Sequence, residues 1–83
     1  MKFVAEIDIM PHTELLDPQG KTVLNNMKHL DLHGFTDVRM GKHVRMALEA
    51  NSEAEAKTAV ETACKKLLAN LIMENYSFEL KKA

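Results

Sequence analysis

The chain has 83 residues with 11 basic and 12 acidic side chains, four histidines and one cysteine. A chain this short is one domain, residues 1–83, and folding buries only about 60% of the surface that the unfolded chain exposes, so association is expected and a core plus a deep substrate cleft is not. Balanced charge argues against nucleic acid or an anionic membrane as partner, no apolar run approaches the roughly 20 residues of a bilayer span, and a lone cysteine behind an N-terminus that opens directly on a strand pattern leads us to expect a cytoplasmic protein.

Residues 2–10 alternate: Phe3, Ala5, Ile7 and Ile9 fall on one face, Lys2, Glu6 and Asp8 on the other, the period-two pattern of a half-buried strand. Val4 and Met10 soften the polar face, so some cover is expected on both sides. After a loop from Pro11 to Leu16, Asp17 offers its carboxylate as an N-cap, and Pro18, with no N–H to orphan, suits the first helical position. Gly20 costs roughly 1 kcal/mol against alanine in a helix. It marks either slack or a place where another backbone comes close. Val23, Leu24, Met27 and Leu30 form the helical stripe, and Gly34, just past His33, is the expected C-terminal cap.

Between residues 36 and 50 the apolar side chains Val38, Met40, Val44, Met46 and Leu48 are all even-numbered. A two-residue hairpin at Gly41-Lys42 would pair Met40 with His43 and Val38 with Arg45, setting apolar against polar. Two arrangements keep the phase: one long strand bent near Gly41, or a hairpin with a bulged turn over residues 41–43. The second helix opens on Ser52 with Glu55 three residues on, a capping box, and runs through Val60, Ala63, Cys64, Leu67, Leu68 and Leu71. A closing strand alternates Tyr76, Phe78 and Leu80 with Ser77, Glu79 and Lys81. The expectation is an α+β fold, a two-layer β-α-β(β)-α-β arrangement with helices on one face of an antiparallel-rich sheet. The exposed sheet face is the expected dimerisation surface.

Catalytic constellations are hard to find. His29 and His33 stand one helical turn apart, but the glutamate of His-Glu-x-x-His is replaced by Leu30 and no third ligand follows at a telling distance. Both lie roughly 110–150° round the helix from the Val23/Met27 stripe, which makes them exposed surface residues. Cys64 occupies the buried stripe of the second helix, away from an N-terminal end that would lower its pKa, and reads as core. Glycines 20, 34 and 41 are isolated and start no phosphate loop. Glu53 and Glu55 meet the positive end of a helix dipole. Arg39, Lys42 and Arg45, beside Gly41, are either a solvated strand edge that resists aggregation or a docking surface in which Arg39 makes forked hydrogen bonds. Asn70 is expected to cap the second helix, and Tyr76 to sit in the core with its hydroxyl at the rim. Phe3, Phe35 and Phe78 are core-compatible.

Three blocks stand out together: Leu15-Leu16-Asp17-Pro18-Gln19-Gly20, then Asp37-Val38-Arg39-Met40-Gly41-Lys42, then Cys64-Lys65-Lys66-Leu67-Leu68-Ala69-Asn70 with Glu74-Asn75-Tyr76. In this order and spacing they resemble the PurS family, small subunits of phosphoribosylformylglycinamidine synthase in de novo purine synthesis, over essentially the whole chain. The resemblance implies the same α+β fold, a homodimer or higher oligomer, and an accessory role that brings a glutaminase subunit and an ATP-dependent synthetase subunit together for ammonia transfer. It implies no cofactor in this chain, with ATP and magnesium held by the synthetase subunit. It carries over Asp17, Pro18, Gln19, Gly20, Arg39, Gly41, Lys42, Asn70 and Tyr76 as fold or subunit-interface positions, with Arg39 and Lys42 expected to contact a partner. Two other readings stand beside it: a regulatory module of ACT type, which has a comparable strand-helix order and binds a small molecule, and a nucleic-acid module on a four-stranded sheet, which wants a basic face and surface aromatics.

Overall fold

A computed structural model describes all residues, Met1–Ala83. The elements are β1 (Lys2–Pro11), α1 (Pro18–His29), β2 (Lys42–Glu49), α2 (Glu53–Ala63, continued by a π turn over Cys64–Leu68) and β3 (Glu74–Lys82). The sheet has the order β2-β1-β3, with β1 antiparallel to both neighbours. The alternation in β1 works as read: Phe3, Ala5, Ile7 and Ile9 are buried, while Glu6 is half-buried and Asp8 exposed. Full burial of a phenylalanine or isoleucine contributes roughly 1.5–3 kcal/mol, so this central strand is the main stabilising element.

α2 covers that face through Ala56, Val60 and Cys64, spaced at helical i+4 intervals, with Ala69 completing the cluster. Its start is the capping box, slightly displaced. Ser52 Oγ accepts from the Glu55 N–H at 3.2 Å, but the Glu55 carboxylate reaches back to the N–H of Asn51 rather than Ser52. The helix does not run on to Leu71. At its end the Ala69 N–H donates to Cys64 O at 2.9 Å, a five-residue step, and Ala69 is already extended. The wider turn shifts the phase, so Leu68 and Ala69 face inward while Leu67 is 81% exposed.

α1 is shorter than the Gly34 reading implies. The Asp31 N–H donates to Lys28 O and the Leu32 N–H to Met27 O, the paired bonds of a Schellman motif, with Asp31 in the left-handed position at φ 62°. Aspartate is among the few side chains that tolerate that region, so the helix closes at His29 without a glycine. Gly34 lies beyond the cap.

Residues 36–50 contain one strand and no hairpin. β2 pairs with β1 from Lys42, opposite Ile9, to Glu49, opposite Lys2. Before Lys42 the chain leaves the ladder and runs to the N-terminus of α1, so Val38 and Met40 do not share the sheet face of Val44, Met46 and Leu48.

α2 lies on the sheet as expected, but α1 makes no extensive contact with it. Gly20 is its one buried residue, Val23, Leu24 and Met27 are half-buried, and Leu30 and Phe35 are exposed. The molecule measures 52 × 27 × 15 Å with a radius of gyration of 16.5 Å. A compact chain of this length would have about 12 Å. α1 is an arm, and one helix is left to cover three strands, so Val44, Met46 and Leu48 on one flank and Tyr76, Phe78 and Leu80 on the other are only partly buried. The opposite sheet face, expected to pair with a partner, is charged: Arg45 bonds Glu6, and His43 lies between Asp8 and Glu6.

Candidate interface site

The sequence-predicted residues divide into those that hold the arm in place and those that face outward. Asp17 caps α1 by accepting the Gly20 N–H at 3.1 Å through Oδ1, and it also accepts the Met40 N–H at 2.6 Å through Oδ2. One carboxylate therefore starts the helix and ties it to a segment 23 residues away. The Met40 and Gly20 N–H groups, with Arg39 nearby, hold the Asp17 carboxyl below its ordinary range. Gly20 is a close approach: a Cβ there would fall far inside contact with the Val38 carbonyl and 2.8 Å from Asp17 Oδ2. Gly41 has the same reason to lack a side chain, since a Cβ would strike Met10 Sδ and Ile9 O.

Arg39, a candidate for forked bonds to a partner, bonds within its own chain. Its Nη2 donates to His12 O and Leu15 O, both at 2.8 Å. His12 is the residue that sequence reasoning passed over. Its N–H donates to Met73 O at 2.8 Å, and its ring Nε2 lies 3.2 Å from Leu71 O. The loop after β1 is thereby fastened on one side to the segment before β2 and on the other to the turn before β3. No periodicity in the sequence signals this, because every bond runs to a backbone carbonyl.

Asn70 does not cap α2, which has already ended. Its Oδ1 accepts from the Ile72 N–H at 3.1 Å and its carbonyl accepts from Met73 and Glu74, while its N–H donates to Glu74 Oε1 at 2.9 Å. It is the organising residue of a tight turn. Lys42 opens β2 with Nζ 3.7 Å from Glu74, and Arg45 is not near Arg39 but on the charged sheet face, so the three cations do not form one cluster. Pro18 and Gln19 are exposed on the first turn of α1 beside Met40, where they line a shallow recess. Tyr76 is half-buried and packs against the core.

Cys64 is fully buried, and burial together with Glu61 pushes its thiol up, which suits a small core residue and not a nucleophile. His29 and His33 are exposed, His33 lying 3.5 Å from Asp31. Phe35, by contrast, is not core: it is exposed on the segment after α1. No helix is long and apolar enough to cross a membrane.

Comparison with known proteins agrees with this fold. The family model for PurS, phosphoribosylformylglycinamidine (FGAM) synthase, matches residues 4–82. The phosphoribosylformylglycinamidine synthase subunit PurS of Synechocystis is 42% identical over 66 residues, covering 80% of this chain and 66%, just under two thirds, of that protein. The Bacillus subtilis subunit is 34% identical over 68 residues, covering 82% of this chain and 80% of its own. In three dimensions the chain superposes on PurS of B. subtilis with a TM-score of 0.87 at 29% identity, over 96% of this chain and 99% of that one. It superposes on a chain of PurLQS from Thermotoga maritima with a TM-score of 0.90 at 26% identity, over 98% and 99%. With its fold and almost its whole length matched, this chain belongs to the PurS family of phosphoribosylformylglycinamidine synthase subunits.

Proposed function

We propose that this chain is a non-catalytic assembly subunit of phosphoribosylformylglycinamidine synthase, bringing a glutaminase subunit and an ATP-dependent synthetase subunit into one complex. The observation that carries this reading is the unfinished shape: an arm with a half-covered apolar stripe and a sheet with two half-covered flanks, in a chain of a family with a relative in PurLQS. A helix stripe and a sheet flank are complementary surfaces, so two copies covering each other is the arrangement that the shape favours. Holding two active sites in one complex lets ammonia pass internally, at a high effective concentration, instead of escaping to water. ATP and magnesium belong to the synthetase subunit, and the complex to the cytoplasm. Pro18, Gln19, Lys42 and Tyr76 face partners, while Asp17, Gly20, Arg39, Gly41 and Asn70 hold the backbone that presents them.

The test is amidation of formylglycinamide ribonucleotide by the matching glutaminase and synthetase, with and without this protein. A gain confined to glutamine as nitrogen donor, with ammonia-dependent turnover little changed, is expected. No gain with either donor, all three proteins being folded, refutes the reading and favours a ligand-binding module.

A further inference from the structure

We infer that the turn after α2 is an anchor for a larger subunit of the same complex, one offering an apolar cleft with carboxylates at its rim. This rests on the assembly role proposed above and assigns it a surface. Leu67, Leu71, Ile72 and Met73 are 81%, 48%, 87% and 54% exposed, and Leu16, 72% exposed, lines a cleft with Met73. So many large apolar side chains in one place on so small a chain mark an interaction site.

The turn is also built to hold them there. The π turn rotates Leu67 out of the core face while Leu68 and Ala69 stay in it; wide turns of this kind are rare and concentrate at functional sites. Asn70 and Glu74 satisfy the turn's backbone from both sides, and His12 pins it to the loop after β1. A preordered apolar knob loses little entropy on docking, which is how a few side chains come to dominate an interface.

Charge indicates the occupant. Lys65 and Lys66, next to Leu67, are exposed and form no ion pair. In a two-fold contact between copies centred on this patch, these lysines would approach their own equivalents, a like-charge juxtaposition. A partner with carboxylates at the rim of its cleft has the complementary field.

The experiment uses the full chain and two double variants, Leu67→Asp with Ile72→Asp, and Lys65→Glu with Lys66→Glu. Each is mixed with the glutaminase and the synthetase separately and together, and association is followed by sedimentation or light scattering. Because the altered side chains are exposed, thermal midpoint and the chain's own oligomeric mass should not move, while association with one larger subunit weakens about tenfold or more, the loss expected for hot-spot residues. Lowering salt should strengthen wild-type association and weaken that of the Glu variant. Full association of both variants overturns the inference and leaves the assembly role standing. Loss of self-association instead makes the turn a contact between copies and also overturns it. Failure of the wild-type chain to bind either larger subunit removes the assembly role itself.

Discussion

Replacing Gly20 by alanine sets two rules against each other. By helix propensity alone, alanine in the first turn of α1 should stabilise the protein by about 1 kcal/mol. The structure reverses the sign. The new methyl would lie inside the Val38 carbonyl and 2.8 Å from Asp17 Oδ2, and both obstacles are fixed: one is backbone, the other is held by the Gly20 and Met40 N–H groups. Relief requires α1 to move off residues 38–40, stretching the 2.6 Å bond from Met40 to Asp17. Overpacking of this kind costs about 1–3 kcal/mol, and a lost hydrogen bond about 1 more. Against the propensity gain, the net loss is about 2 kcal/mol, or roughly 8–16 °C in thermal midpoint for a domain of this size. Thermal unfolding followed by far-UV circular dichroism measures it, and hydrogen exchange at the Met40 amide localises it. A variant as stable as the wild type, with the Met40 amide still protected, would show that the two backbones do not pack as described.

Three further outcomes are expected. Arg39→Met leaves Leu15 O without this donor and His12 O with only the Leu15 N–H, and should cost about 1–3 kcal/mol in urea unfolding; Arg39→Lys, a flexible point donor in place of a fixed guanidinium, should recover less than half, and full recovery would contradict the fixed contact. Cys64→Ser buries a hydroxyl where there was a thiol among apolar groups and should cost about 1–3 kcal/mol, while the native thiol resists a disulfide reagent until the chain unfolds; rapid labelling of the folded protein would place Cys64 outside the core. His43 is held above its ordinary value of 6.5 by Asp8 and then Glu6, so its contribution is complete below 6.5 and disappears as pH rises through the raised folded value. His43→Gln should therefore lower the thermal midpoint at pH 6 and leave it unchanged at pH 9, and an equal deficit at both would show that the ring acts by packing and not by charge.

Features that depend on neighbours along the chain were legible in the amino-acid order. Alternation in residues 3–9 chose the buried face of β1, Asp17-Pro18 and Ser52 with Glu55 placed both helix starts, and Val60 and Cys64 chose the core face of α2, because period and capping are local physics. The even-numbered phase of residues 38–48 allowed two arrangements, since alternation says nothing about whether a partner strand is alongside. Packing in three dimensions settles that β2 begins at Lys42, where its neighbour is about to end, and that the preceding segment meets α1 instead. It also decided the roles of Gly20, Arg39 and His12. Each acts on a backbone carbonyl that sequence does not mark: Val38 O is 18 residues from Gly20, Leu15 O is 24 from Arg39, and Leu71 O is 59 from His12. The outward turn of Leu67 was equally illegible, because a helix continued at its ordinary pitch to Leu71 predicts the opposite face. What separates the two groups is range: local preferences are read residue by residue, whereas long-range bonds to the main chain leave no residue type to read at one end.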